Sequence, residues 1–287
     1  MKKVLVTGGA GFIGTHLVRA LKERGADVVS YDLKDGNDIL DRERLRSALQ
    51  GVDTVYHLAA LVSVPESMDA PLMTHMTNVS GTVVVLEEAR ALGVARVVYA
   101  SSAAVYGDEP SMPKNEASPI RCQSPYALSK YMGEEWCRFY ASAFGCDTAV
   151  LRFMNVYGEG QSVTGGYGAI IPVAFDKMAK GETLTVFGDG TQTRDFVYVA
   201  DVVDACIQAT ERGKSGETYL IASGIETSIN DIVRALSAAG QTLAHTYGPS
   251  RAGDINRSVG DASKVGHELL WETRTSISEG IRRILKK

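Results

Sequence analysis

The stretch Val4-Leu5-Val6-Thr7-Gly8-Gly9-Ala10-Gly11-Phe12-Ile13-Gly14 decides the fold. Val4, Leu5 and Val6 form the short continuous apolar run of a strand covered on both faces. From Gly11 to Arg24 the apolar residues recur at helical spacing, with Ile13, Leu17, Ala20 and Leu21 on one side and Gly25 as the stop. Gly8, Gly11 and Gly14 fall where this strand turns into this helix. Gly8 permits the tight turn, Gly11 lets the main chain approach a pyrophosphate, and Gly14 lets helix and strand pack closely. The helix N-terminus offers free N–H groups to an anion. Asp32 stands 18 residues beyond Gly14, at the end of the next predicted strand. A carboxylate at that spacing accepts hydrogen bonds from the adenosine ribose hydroxyls and repels a 2'-phosphate, so NAD is expected rather than NADP.

Outward from this unit, further strands are predicted at Asp27 to Tyr31, Thr54 to Ala60, Val94 to Ala100, Thr148 to Phe153 and Thr218 to Ala222. Helical patterns lie between them, notably Leu72 to Leu92 and Tyr126 to Phe144. Strand alternating with helix predicts an α/β doubly wound parallel (Rossmann) sheet with helices on both faces. After Asn155 the rhythm breaks into glycine-rich stretches, Gly158-Glu159-Gly160 and Gly165-Gly166-Tyr167-Gly168, then a short apolar run, Leu184 to Phe187. Helical segments near Ile229 to Leu236 and Ile277 to Leu285 flank an irregular stretch at Tyr247 to Asp254. The expected organisation is a dinucleotide-binding domain over 1–157 and 195–222, and a smaller discontinuous substrate domain over 158–194 and 223–287.

Composition narrows the function. The chain has 287 residues, 45% hydrophobic and 22% charged, ordinary values for a soluble globular protein. Thirty Lys and Arg against 34 Asp and Glu leave a formal charge of -4, without the basic excess of a nucleic-acid binder. Any bound anion must therefore be held locally. Glycine is the one skew, 29 of 287 residues. Cys122, Cys137, Cys146 and Cys206 show no metal or disulfide spacing, so a reduced cytoplasmic protein without a metal site is expected. Lys2 and Lys3 precede only three apolar residues, too few for a signal-peptide core or a membrane span.

Tyr126 and Lys130 form the one Tyr-x-x-x-Lys of the chain and share one face of a predicted helix. Ser101 and Ser102 sit at the C-terminal end of the predicted fourth strand, where the carboxyl ends of such a sheet line the ligand crevice. A serine beside a tyrosine with a lysine one turn away can pass a proton to or from a substrate hydroxyl. Bringing a phenol from about 10 to about 7 takes roughly 4 kcal/mol in favour of the phenolate. An ammonium about 4 Å away at an effective dielectric near 20 supplies about that much. The expectation is that Lys130, with oxidised nicotinamide, acidifies Tyr126.

Taken in order, Gly8 to Gly14, Asp32, Asp38-Ile39, His57-Leu58-Ala59-Ala60, Asn78, Ser101-Ser102 with Val105-Tyr106-Gly107, and Tyr126 with Lys130 resemble the extended short-chain dehydrogenase/reductases of the NAD-dependent epimerase/dehydratase family. Leu151 to Gly158, Gly188-Asp189-Gly190 with Arg194-Asp195-Phe196, and Arg251-Ala252-Gly253-Asp254 resemble its nucleotide-sugar branch. The resemblance implies that Gly8, Gly11, Phe12, Ile13, Gly14, Asp32, Asp38, Ile39, Ala59, Ala60, Asn78, Tyr126 and Lys130 hold NAD. It implies catalysis by Ser102, Tyr126 and Lys130, and substrate contacts from Ser102, Tyr126, Asn155, Phe187, Arg194, Arg251 and Asp254. The implied reaction is 4-epimerisation of a nucleotide sugar through a transient 4-keto sugar, UDP-glucose and UDP-galactose being the implied pair. The branch also implies a homodimer built on the helix that carries Tyr126.

The chain departs from the family in a short stretch between Asp32 and Asp38 and in Val62, where some members carry a lysine. Ala103-Ala104 stand where dehydratases of the group place an acidic pair, so dehydration lacks its acid. UDP-glucuronate or a UDP-N-acetylhexosamine are the alternative 4-epimerase substrates, dehydration or decarboxylation the alternative chemistries, and non-catalytic dinucleotide binding the alternative class. His57 is expected to be structural. Met73, Met76 and Met132 are expected to be ordinary packing residues.

Overall fold

The computed structural model describes residues 2–163, 170–250 and 256–286. In chain order its strands are β1 (Lys3–Thr7), β2 (Asp27–Tyr31), β3 (Thr54–His57), β4 (Arg96–Ser102), β5 (Thr148–Phe153), β6 (Asn155–Tyr157), β7 (Leu184–Phe187), β8 (Thr193–Tyr198), β9 (Glu217–Ile221), β10 (Glu226–Ser228) and β11 (His245–Gly248). Six of them form one parallel sheet in the order β2-β1-β3-β4-β5-β9. The order reverses between β1 and β3, and such a switch point opens a crevice at the strands' carboxyl ends.

Side chains alternate across this sheet, so one strand feeds two cores. Val4 and Val6 pack with Leu17 and Leu21 of the helix Phe12–Glu23 and with Val202 and Cys206 of the helix Val199–Arg212. Leu5 points the other way, to Leu45, Val85, Leu86 and Cys137 from the helices Arg42–Ala48, Gly81–Ala91 and Pro125–Phe144. Leu5 and Leu17 are fully buried; each such side chain contributes about 2 kcal/mol. The predicted strands and the observed six coincide to within a few residues. The fourth runs two residues further than predicted, which carries Ser102 to the sheet's edge.

A third core lies under the smaller sheets. β8 pairs with β6 in parallel and with β10 antiparallel, while β11 pairs with β7 in parallel. Ile171, Leu184, Val186, Phe196, Ile232, Leu236 and Ile281 meet there. Among the described residues no helix is long and apolar enough to cross a membrane.

Two expectations need correction. The pattern from Leu72 to Leu92 is not one helix: Pro71–His75 passes through a π turn, Met76–Ser80, into Gly81–Ala91. Inside that turn the Asn78 amide accepts from the Leu61 N–H at 2.8 Å and donates to the Leu61 carbonyl at 2.9 Å and to Ser129 Oγ at 2.9 Å. A widened turn is thus held by fixed partners, as π turns at special positions are. Met73 and Met76 are 58% and 42% exposed, so neither is ordinary core.

Candidate active site

The glycine turn is shaped by what glycine leaves out. A methyl group on Gly14 would stand 2.0 Å from the Gly8 carbonyl oxygen, and one on Gly8, where φ is +69°, would stand 2.8 Å from the Ala59 nitrogen. Both positions are closed to side chains by the protein itself. A methyl on Gly11 would meet only the Gly8 oxygen, at 3.1 Å. Gly11 is also the N-cap of the helix Phe12–Glu23, and no side chain caps it. The first-turn N–H groups, in which Phe12 and Ile13 lie, are thus left for a ligand. Ala10 N–H donates to one Asp32 carboxylate oxygen at 3.0 Å and Lys34 N–H to the other at 2.9 Å. Two bonds leave acceptor capacity for ribose hydroxyls, because a carboxylate accepts about four. The cradle and this carboxylate fit the dinucleotide expected from the sequence.

The remaining cofactor-side residues differ in how they are used. Ala59 N–H donates to Thr7 Oγ1 at 3.2 Å, fixing the loop after β3 against the glycine turn. The Asp38 side chain accepts from Leu40 N–H at 2.9 Å, and its carbonyl accepts from Tyr31 OH at 2.9 Å. Ile39 is buried, with its side chain against Gly81, so its main chain is what remains for an adenine. His57 is buried between Thr7 Oγ1 at 2.7 Å and Thr82 Oγ1 at 3.0 Å. Burial, with a smaller contribution from the Lys130 charge, brings its pKa down to about 3, so it is a neutral structural residue.

The reactive end is built where β4 meets the helix Pro125–Phe144. Ser124 accepts from Ala127 N–H, Pro125 occupies the first turn and Gly145 closes the helix in a left-handed conformation. Tyr126 is half-buried with Ser102 beside it, and the Ser102 oxygen accepts from Ala104 N–H at 3.2 Å. One turn on, Lys130 is 3% exposed, its Nζ donating to the Ala100 carbonyl at 2.8 Å and lying 5.0 Å from the Tyr99 ring centre. Here the expected acidification of Tyr126 by Lys130 fails for the protein alone. Burial raises the Tyr126 phenol above its usual value, and the neighbouring Ser102 hydroxyl opposes that. Burial also brings Lys130 down to about 8. Desolvation governs both groups, and the ammonium is engaged by a carbonyl and a ring.

Sequence reasoning missed the support beneath this pair. Glu134, fully buried one turn beyond Lys130, receives Arg152 Nε at 2.8 Å and Nη2 at 2.6 Å, and Ser101 Oγ at 2.5 Å. The signal was present, since Tyr126, Lys130 and Glu134 are spaced by four. Asp195, also fully buried, was read only as part of a motif. It accepts from Ser223 N–H and Oγ, Gly224 N–H and Gly260 N–H, joining β8 to the segments after β9 and before residue 261.

Of the predicted substrate residues, Phe187 lines a cavity of about 980 Å³ together with Thr191, Gln192, Tyr247, Asn256 and Arg257. Asn155 pairs through its main chain with Phe196. Arg194 is half-buried, its Nη1 donating to the Thr193 carbonyl at 2.9 Å, and lies outside that lining. Arg251 and Asp254 lie outside the described residues. Arg257, not singled out from sequence, is held by Glu226 through Nε at 3.0 Å and through Nη2. It stands beside Asn256, three residues beyond the Arg-Ala-Gly-Asp motif, which is the signal that could have found it.

A doubly wound sheet with a glycine cradle at its switch point and a Ser-Tyr-Lys cluster at a strand's carboxyl end defines a dinucleotide-dependent enzyme. Residues 4–222 match the NAD dependent epimerase/dehydratase family, and the chain belongs to it. It is 34% identical to the UDP-glucose 4-epimerase of Mycolicibacterium smegmatis, over 99% of this chain and 97% of that one. Among solved structures it superimposes on a UDP-glucose 4-epimerase with UDP-glucose from Thermotoga maritima with a TM-score of 0.93 at 34% identity, covering 99% and 97% of the two chains. A UDP-N-acetylglucosamine 4-epimerase from Methanobrevibacter ruminantium, in complex with UDP-N-acetylmuramic acid, gives the same TM-score at 30% identity and the same coverage.

Proposed function

We propose that the protein is a nucleotide-sugar 4-epimerase that interconverts UDP-glucose and UDP-galactose. The observation that carries the reading is Tyr126 with Ser102 beside it at the carboxyl end of β4, one helical turn from a buried Lys130. Gly8, Gly11, Gly14 and Asp32 would hold NAD, with Phe12, Ile13, Asp38, Ile39, Ala59, Ala60 and Asn78 around it. When bound, NAD takes a hydride from the sugar and returns it. Tyr126 would take the proton of the sugar 4-hydroxyl and give it back, with Ser102 bridging between phenol and hydroxyl. Lys130, brought down to about 8, keeps its proton near neutrality, so it would stand as a cation one turn from the phenol once NAD is held there. Asn155, Phe187, Arg194, Arg251 and Asp254 would anchor the nucleotide while the sugar turns over. Ala103 and Ala104 offer no acid to expel a hydroxyl, which favours epimerisation over dehydration. Residues 1–157 and 195–222 form the cofactor half of this reading, with 158–194 and 223–287 as the sugar half.

The same reading includes a homodimer. Leu72, Met73, Leu128, Phe139 and Phe144 are each about half or more exposed on neighbouring helices, more apolar surface than a lone subunit usually shows. Incubation with UDP-galactose, UDP-glucuronate and UDP-N-acetylgalactosamine, with and without added NAD, tests the function. The expected result is UDP-glucose from UDP-galactose at the highest rate. Preferential turnover of either other donor replaces the substrate, and no 4-epimer from any of them ends the reading.

A further inference from the structure

We propose, resting on the reading above, that Glu134 is a positioning residue for the Tyr126–Lys130 couple: its carboxylate, fixed by Arg152 and Ser101, anchors the lysine as a cation against β4. Tyr126, Lys130 and Glu134 occupy successive turns of one helix face. Two of them are tied to the end of β4, Lys130 Nζ to the Ala100 carbonyl at 2.8 Å and Glu134 to Ser101 Oγ at 2.5 Å. Neighbouring residues of the strand thus receive neighbouring turns of the helix, which sets Glu134 behind Lys130. Glu134 is fully buried and is also clamped by two bonds from Arg152 of β5, itself 3% exposed. Arg152 is steadied from behind by the Tyr106 hydroxyl at 3.1 Å and the Glu116 carbonyl at 3.3 Å.

A merely structural ion pair could sit anywhere in the core. This one lies one helical turn from a buried amine that has a carbonyl, a ring and little else to keep its proton. The groups that act on Lys130 are His57 from β3, the Ala100 carbonyl and the Tyr99 ring from β4, and Cys137 and Glu134 from its own helix. His57 is neutral, and burial pushes the Cys137 thiol well up, so Cys137 is neutral too. Glu134 is therefore the anion of the set. Its charge raises Lys130 against the burial that lowers it to about 8.

The test is the titration of Lys130 itself, followed by carbon NMR of protein labelled at the lysine ε-carbon and assigned by loss of the signal in Lys130→Arg. In Glu134→Gln, which removes the anion and leaves the Arg152 cation in place, the midpoint is expected to fall by at least about one pH unit, as loss of a charge one turn away at a dielectric near 20 implies. Glu134→Asp, which keeps the charge, should restore most of it. If Glu134→Gln does not fold, Glu134→Gln/Arg152→Met removes both charges, and the same downward direction is expected. A midpoint within experimental error of the parent in the folded variant overturns the proposal. The titration needs no turnover. If it shifts and none of the three donors is epimerised, the proposed function fails while the role of Glu134 stands. If epimerisation is seen, the alkaline limb of kcat should move down with the midpoint.

Discussion

The two ends of the site are built on opposite principles. At the end of β4, Lys130, Glu134 and Arg152 are buried beside Tyr126, their charged groups matched to fixed partners in a dry wall. Around Phe187, Tyr247 and Arg257 the polar groups line an open cavity, and Tyr247 and Arg257 are largely exposed. In the first region a lost partner leaves a charge or dipole stranded where water cannot reach it. In the second, solvent replaces whatever is removed. The same kind of side chain should therefore matter very differently at the two ends.

The largest effect belongs to the dry end. Tyr126→Phe keeps the ring and removes the proton acceptor, and kcat for the favoured donor should fall by at least about a hundredfold. Undiminished turnover in a folded variant would take Tyr126 out of the chemistry. Next comes the cradle. Gly14→Ala drives a methyl group into the Gly8 carbonyl oxygen, so the turn must shift, at a cost of about 2 kcal/mol in stability and at least a tenfold loss of NAD affinity. Gly25→Ala is the control. Its φ is +80° but nothing lies within 4 Å, so it should cost about 1 kcal/mol and leave NAD binding alone. Equal effects of the two on NAD binding would mean that contact with Gly8 is not what fixes the cradle.

The same contrast decides what could be read from sequence. The doubly wound sheet was legible because strand and helix periodicities are local, and Gly8, Gly11 and Gly14 mark their join. The Tyr126–Lys130 pair was legible because its members stand four residues apart on one helix, and Ser102 because it ends a strand whose carboxyl end faces the crevice. The protonation balance was not. It depends on desolvation, which acts through everything packed around a group and has no signature in the spacing of two residues. Nor was the buried pairing of Glu134 with Arg152 legible, since it joins residues on different elements. The exposure of Met73 and Met76 escaped for a related reason: an apolar helical pattern reads the same whether its face is covered by the chain's own core or left outside.

His57 offers a smaller, graded test of the dry region. Its pKa in the folded protein is about 3, below the ordinary value of 6.5, so the unfolded chain binds the extra proton between those values. Stability should rise with pH through that window, by at most about 1.4 kcal/mol per unit from this group, and level off above about 6.5. His57→Gln should flatten that part of a melting-temperature profile against pH. An unchanged slope would mean that another group governs the acid limb.

The smallest effects are expected at the wet end. Arg257 is 63% exposed and already paired with Glu226. A surface pair of this kind contributes within about 1 kcal/mol, so Arg257→Ala should leave the melting temperature nearly unmoved. Two of the five guanidinium N–H donors engage Glu226, and the rest remain for a ligand in the cavity that Arg257 lines. If the nucleotide lies there, affinity for UDP should weaken about fivefold, which is about 1 kcal/mol, with NAD affinity unchanged. Phe187→Ala, which takes an aromatic face from the same wall, should weaken UDP by a similar factor or somewhat more. Calorimetric titration of both variants with UDP and, separately, with NAD decides it. Loss of NAD affinity in either would tie the wet end to the cofactor and erase the separation between the two regions, whereas unaltered UDP affinity in both would move the nucleotide out of this cavity.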